Sequence, residues 1–266
     1  MQLCLALNKS VRYTIRMNII NTLSYKIAVN ATGDKNASKI AILMPGRLDT
    51  KDYANFTSHL DVLAKQGYFA VAIDAPGTWE SPGDINEYNT STYLKTVNQL
   101  IDHYGNKPTL LLGHSRGGAT AMLASANPAV SGLVVVNSAY GKPSKADPNN
   151  VINGYLKESR DLPPGNKRTK EQKIFKLPLK YFEDGAKHDP ILALQLFKKP
   201  KLIVHGTKDE FVGITRVKEI YATLASPKMF IQINSAHDYR LYPSAISKVN
   251  SALEDFLVRY NMIFSS

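Results

Sequence analysis

A single cysteine, Cys4, in 266 residues excludes an intrachain disulfide framework. No apolar run approaches the roughly 20 residues that a membrane-spanning helix requires. Neither G-x-G-x-x-G nor a phosphate-binding P-loop is present, so no nucleotide cofactor is implied. The six histidines and the lone cysteine lack metal-ligand spacing, so no metal is implied either. No internal repeat and no low-complexity linker interrupts the chain. Acidic residues are comparatively scarce, 22 against 33 basic ones, for a net charge of +11. What is present is enough for a core: 44% hydrophobic and 21% charged residues is the balance of a folded chain, not a disordered one. The length suits one large α/β domain or two small ones.

The charge is unevenly placed. Residues 1–16 carry three basic residues and no acid, and residues 17–141 are balanced at nine of each sign. Residues 142–199 carry thirteen basic against seven acidic, and residues 200–266 eight against six. The main body is therefore close to neutral. Only nine of the basic residues are Arg, the better bidentate phosphate reader. A nucleic-acid footprint would spread basic and aromatic residues over the main surface, so no nucleic-acid partner is expected. A small-molecule partner is expected instead, with an acidic or amphiphilic substrate, or contact of the basic stretch with an anionic membrane surface, left open.

Leu3–Leu7 is too short for a signal-peptide core, and a cytoplasmic location is expected. The basic, acid-free residues 1–16 resemble a transit peptide. However, Val11, Tyr13, Ile15 and Met17 alternate with polar residues, the period of a half-buried strand. Residues 11–17 and 23–29 then read as a hairpin. Strands are expected at 39–44, 68–73, 109–112, 133–136, 201–204 and 228–233, giving eight in all. Helices are expected from Asp52 to Gly67, at 92–104, 116–126, 212–224 and 243–260. Strands alternating with helices predict a mostly parallel sheet covered on both faces. Residues 142–199 break the rhythm with six of the 14 prolines, many lysines and two weak helical patches, at 151–157 and 170–175.

The chemistry is announced by Gly113-His114-Ser115-Arg116-Gly117-Gly118. It lies between an apolar strand and a small-residue helix, the strand–turn–helix context that G-x-S-x-G requires. A serine hydroxyl is a poor nucleophile until a base takes its proton and an acid orients that base. His237 lies in the loop after the last strand, at the same sheet edge as Ser115, and is the candidate base. His59 and His103 fall within helices, and His205 ends a strand. Asp209 follows strand 201–204 and a Gly turn and is the candidate acid. Glu210, one residue nearer the next helix, and Asp238, adjacent to His237, are the weaker candidates.

The order Ser115, Asp209, His237 resembles the α/β-hydrolase superfamily over nearly the whole chain. Asp74-Ala75-Pro76-Gly77-Thr78-Trp79-Glu80-Ser81 is similar to that family's D-x-P-G-x-G-x-S stretch, with Trp79 where Gly is usual. The resemblance implies an eight-stranded α/β-hydrolase core, residues 1–141 and 200–266, with 142–199 as a cap insertion. Family members often carry His-Gly after the third strand, and here Met44-Pro45-Gly46-Arg47 keeps the Gly and loses the His. Alignment with that motif implies an oxyanion hole from the backbone N–H groups of Arg47, or of Leu48 one residue on, and Arg116. Trp79, Leu48 and His114 flank these loops and are candidate pocket residues. The implied activity is hydrolysis of a carboxylic ester or related acyl bond through an acyl-enzyme, with no cofactor. An acyltransferase or peptidase on the same triad is the alternative, ahead of a non-catalytic binding protein.

Overall fold

A computed structural model describes residues 13–141 and 148–262. In chain order its strands are β1 (Tyr13–Asn21), β2 (Lys26–Gly33), β3 (Ile40–Met44), β4 (Phe69–Ile73), β5 (Thr109–His114) and β6 (Val130–Val136). There follow β7 (Val151–Ile152), β8 (Tyr155–Asp161), β9 (Gln172–Pro178), β10 (Lys201–Gly206) and β11 (Lys228–Ile233). The helices are α1 (Ala54–Lys65), α2 (Thr90–His103), α3 (Ser115–Ala124), α4 (Lys180–Gly185), α5 (Pro190–Leu196), α6 (Ile214–Thr223) and α7 (Pro243–Arg259).

Eight of the strands form one sheet in the order β1-β2-β4-β3-β5-β6-β10-β11. β1 and β2 pair antiparallel, as do β2 and β4, and every other neighbouring pair is parallel. The fold is thus an α/β-hydrolase fold, with the mostly parallel eight-stranded sheet expected from the sequence. The first hairpin lies a few residues later than its alternation suggests, and residues 1–12, with the targeting question, lie outside the described residues. No helix among the described residues is long and apolar enough to cross a membrane.

The buried strands read as short apolar runs because both their faces are covered. Their side chains alternate between two cores. Ile40, Ile42, Met44, Leu111, Leu133 and Val135 face α2, α3 and α6. Ala41, Leu43, Leu110, Leu112, Val134 and Val136 face α1 and α7, meeting Phe56, Leu60 and Leu63 from one helix and Val249, Leu253 and Phe256 from the other. Because β3, β5, β6, β10 and β11 run parallel, the loops leaving their carboxyl ends share one edge of the sheet.

Residues 151–161 and 172–178 correct the sequence reading: both weak helical patches are strands. β7, β8 and β9 form a separate antiparallel sheet. The overlooked signal is Asn153-Gly154, whose positive φ values of 50° and 79° make the two-residue hairpin turn between β7 and β8. Phe175 and Leu177 alternate inward while Ile174 and Lys176 face solvent. Lysine is a good helix former, so a lysine-rich strand with one wet face imitates a helix. Phe175, Leu177, Tyr181, Phe182, Leu194 and Phe197 join the core that covers the α2 and α3 face. The segment is therefore packed on the sheet domain, and its boundary at 142–147 lies outside the described residues.

Candidate active site

Ser115 stands at the junction of β5 and α3 with a φ of 53°, a left-handed conformation that costs of order 1–3 kcal/mol outside glycine. Flanking glycines make the turn possible. A Cβ on Gly113 would come within 2.3 Å of the Gly117 carbonyl, and one on Gly117 within 2.1 Å of the Met44 carbonyl. Helix α3, β3 and β5 can approach this closely only without those side chains. The serine is thereby held over the helix N-terminus, where free amides and the helix dipole favour negative charge.

His237 Nε2 lies 2.8 Å from Ser115 Oγ, and His237 Nδ1 lies 2.8 Å from Asp209 Oδ2. Ser115, His237 and Asp209 come from the loops after β5, β11 and β10, so the sheet order brings together residues 122 and 28 positions apart. The other oxygen of Asp209 accepts the amides of Phe211 and Val212, at 2.9 and 3.0 Å. Burial alone would push the Asp209 carboxyl up; the hydrogen bond from His237 and these two amides outweigh it and hold the group below the usual carboxylate range. An ionised Asp209 keeps the proton of His237 on Nδ1 and leaves Nε2 free to accept from Ser115. This arrangement can deprotonate a hydroxyl and stabilise the imidazolium that results.

Glu210 is not the partner of the His237 imidazole. Its carboxylate accepts the backbone N–H of His237 at 3.0 Å and so pins the loop that carries the imidazole. Asp238 pairs with Arg168 at 2.8 Å and not with the imidazole. His205 is buried, donates to the Val212 carbonyl at 2.7 Å and packs behind Asp209. His59, in α1, is also buried, bonded to Asn250 and to the Tyr239 hydroxyl. Phe211, 71% exposed, sets its ring edge-on to His237 at 4.7 Å and is an apolar wall that sequence did not suggest.

The loop after β3 runs over the serine. A Cβ on Gly46 would sit 3.1 Å from Ser115 Cβ and 2.7 Å from Asp49 Oδ2, so only glycine lets this loop close on the Ser115 side chain. Leu48 is held at φ 59°, and its N–H donates to the Tyr88 hydroxyl at 3.1 Å. The Arg116 side chain turns away toward the Gly141 carbonyl.

The three candidate pocket residues all pack around the loops of the site. His114 is buried: its Nε2 meets the His237 carbonyl at 3.1 Å and its Nδ1 faces Asp49 at 3.4 Å. Burial lowers its pKa, but the Asp49 carboxylate outweighs that and raises it above the usual histidine value. It props the base loop from behind. Leu48 is equally buried. Trp79 is half-buried, donates its indole N–H to the Leu48 carbonyl at 2.7 Å and packs edge-on against Tyr53 and Phe175. Its φ of 47° explains the glycine usual at this position in the resembling motif.

Sequence alone does not single out Asn137. It follows β6, is fully buried, and donates to the carbonyls of Ala236 and His237 at 3.1 and 2.9 Å. Its Oδ1 accepts the Gly206 N–H at 2.7 Å, so one amide ties the acid loop to the base loop. The available signal was a polar residue directly after an apolar strand on the functional edge. A candidate cation site also exists: oxygens of Asp52, Asp74 and Glu80 lie within 4.8 Å of one another. The buried Lys51 ammonium already sits among them, 2.6 Å from Asp52 and 3.4 Å from Asp74 and bonded to Glu80, which makes the trio a structural anchor for the loop after β3.

Residues 42–177 match the sequence profile described as the alpha/beta hydrolase fold. The chain is 24% identical over 228 residues to the bovine mitochondrial palmitoyl-protein thioesterase ABHD10 (Bos taurus), covering 79% of this chain and 70% of that protein. It is 23% identical over 244 residues to a 2-hydroxy-6-oxononadienedioate/2-hydroxy-6-oxononatrienedioate hydrolase of Klebsiella pneumoniae, covering 80% and 84%. Among solved structures, Est1E from Butyrivibrio proteoclasticus with bound ferulic acid superposes with a TM-score of 0.73 at 19% identity, over 92% of this chain and 99% of that one.

Proposed function

The chain belongs to the alpha/beta hydrolase family, and from that premise we propose that it is a serine hydrolase cleaving an acyl bond to oxygen or sulfur. The single observation that carries the reading is the unbroken line Asp209–His237–Ser115, with both contacts at 2.8 Å. Fold by itself licenses no activity. The relatives point the same way, since of the two described above one is named a thioesterase and the other a hydrolase.

In the proposed reaction Ser115 Oγ attacks the substrate carbonyl as His237 Nε2 takes its proton, and Asp209 stabilises the imidazolium. The carbonyl oxygen becomes an alkoxide between two backbone amides. Arg116, at the start of α3, supplies one. Arg47 is the better choice for the other, because the Leu48 amide is committed to Tyr88. His237 returns the proton to the leaving alcohol or thiol, which departs and leaves an acyl-serine. Water, deprotonated by the same imidazole, then releases the acid. Residues 142–199 act as the cap over this site, a reading supported by Phe182 lying beside the Arg47 guanidinium.

The test is a panel of p-nitrophenyl esters and matched acyl thioesters of increasing acyl length, run with wild-type protein and Ser115→Ala. The wild type is expected to hydrolyse part of the panel and to react with a fluorophosphonate probe. Ser115→Ala should lose at least about 10³-fold in kcat and all labelling. Equal rates for the two proteins would refute the proposal.

A further inference from the structure

We infer that Arg160, on the inserted strand β8, is the positioning residue that builds the oxyanion hole, and therefore that the insertion is part of the catalytic apparatus and not only its cover. This assignment rests on the serine-hydrolase reading above.

The loop after β3 has a turn bond of its own, from the Asp49 N–H to the Gly46 carbonyl at 3.2 Å, and is further held from outside. Leu48 occupies a left-handed φ of 59°, which a leucine leaves readily unless its neighbours hold it. Three groups distant in sequence do so. Arg160 donates to the Arg47 carbonyl twice, from Nε at 2.9 Å and from Nη2 at 2.7 Å. The Tyr88 hydroxyl receives the Leu48 N–H at 3.1 Å, and the Trp79 indole donates to the Leu48 carbonyl at 2.7 Å. The peptide between Arg47 and Leu48 is thus gripped at both its oxygen and its nitrogen. Arg47 is the residue whose own N–H is the proposed donor, so the grip fixes the position of that donor.

Arg160 also stands 3.4 Å from Asp49, whose other oxygen faces His114 Nδ1, and His114 in turn bonds the His237 carbonyl. The same guanidinium therefore connects the insertion to the oxyanion loop and, through Asp49, to the loop of the base. Its remaining nitrogen, Nη1, is spent on Glu158 at 3.0 Å and on the Ser159 carbonyl at 2.7 Å. Glu158 in turn holds the Arg47 side chain at 2.8 Å. With its nitrogens committed to protein oxygens, Arg160 is not placed to bind a substrate anion. Its charge is secure: burial works against it, and Asp49 and Glu158 outweigh burial and raise its pKa. A planar fork with donors at Nε and Nη2 suits a carbonyl approached from the side, which a lysine ammonium reproduces only in part.

The experiment compares wild type, Arg160→Met, Arg160→Lys and Tyr88→Phe on an ester that the wild type hydrolyses. Each is also titrated with a trifluoromethyl ketone, which becomes an alkoxide on the serine, and with the matching methyl ketone, which binds without forming one. Loss of one oxyanion donor typically costs about 10²–10³ in kcat. Displacement without removal should cost less, roughly 10–100-fold for Arg160→Met, with KM within about 3-fold. The trifluoromethyl ketone should weaken by the same factor as kcat/KM and the methyl ketone should not. Arg160→Lys should recover part of the loss. Tyr88→Phe, which removes one hydroxyl and keeps the ring that stacks on Tyr181 of the insertion at 5.2 Å, should show the same pattern at smaller size, and it carries the test if Arg160→Met fails to fold. An unchanged kcat in Arg160→Met overturns the assignment. So does a KM increase with both ketones weakened equally. Activity that survives Ser115→Ala overturns the hydrolase reading instead, which keeps the two failures distinct.

Discussion

Ser115, Leu48, Trp79 and Asn137 all hold left-handed backbone without being glycine, at φ 53°, 59°, 47° and 43°, and all four belong to the loops around one hydroxyl. Each such residue costs of order 1–3 kcal/mol and persists only where its surroundings over-determine it. Here the surroundings are visible. Trp79 is held by the Leu48 carbonyl and Phe175, Leu48 by Tyr88, and Asn137 by three backbone groups of the acid and base loops. Gly46 is the opposite case, a glycine needed for space and not for φ. Gly46→Ala adds a Cβ against Ser115 Cβ and the Asp49 carboxylate. The loop must then lift by a few tenths of an ångström, and kcat/KM on any accepted ester is expected to fall at least about 10-fold, since displaced oxyanion donors are costly. Circular dichroism should meanwhile report an intact fold; an alanine variant with wild-type kinetics would show that the loop does not close on Ser115. The sequence made Ser115, His237 and Asp209 legible because each lies in a short loop after an apolar strand. It left Glu210 ambiguous, because whether a carboxylate points at an imidazole or at a backbone amide depends on torsions that no local pattern records.

The three-stranded insertion is docked by polar contacts as well as by Phe175 and Leu177. Asp161, at the end of β8, is fully buried and accepts from Arg240 at 2.7 Å, Arg168 at 3.2 Å, Gln172 at 3.1 Å and the Thr169 amide at 3.1 Å. Its backbone carbonyl takes the Tyr53 hydroxyl at 2.9 Å. Burial pushes the Asp161 carboxyl up, and these donors overcome burial and hold it far below the usual carboxylate range. A carboxylate depressed in the folded state adds stability above its unfolded pKa, near 4, and that stability drains away as pH falls toward the folded value. Wild-type protein is thus expected to lose Tm steeply below about pH 4. Asp161→Asn leaves Arg240 with only its longer contact to Asp238, at 3.4 Å, and should cost up to about 3 kcal/mol near neutrality. It should also flatten the acid-side slope; parallel Tm-against-pH curves for the two proteins, measured by calorimetry, would contradict this account. Of the lysines that made these strands resemble helices, Lys157 and Lys176 are exposed, while Lys173 lies on the inward side over the Trp79 ring.

At the scale of the molecule, the +11 charge is a standing self-repulsion, and most of it belongs to residues 1–16 and 142–199. Screening should relieve it: the Debye length shrinks from about 30 Å at 0.01 M to about 8 Å at 0.15 M salt. The Tm is therefore expected to rise by a few degrees on going from low to physiological ionic strength. A flat or falling Tm over that range, read by differential scanning fluorimetry, would show that the excess charge is already paired. The eight central strands, their helices and the order of the site residues could be read from the chain, because a parallel strand buried on both faces is a short apolar run and an amphipathic helix repeats at 3.6 residues. Those are local signals, carried by neighbouring residues. Which loops meet was decided only by the tertiary structure. The sheet order β1-β2-β4-β3-β5-β6-β10-β11 puts the ends of β3, β5, β6, β10 and β11 side by side, and the insertion returns Arg160 to the carbonyl of Arg47, 113 residues earlier. Contacts over such separations depend on the packing of whole layers, where burial and hydrogen-bond satisfaction choose one partner among many chemically equivalent ones. That is why Ser115 stood out in the sequence as the candidate nucleophile and the residues packed around it did not.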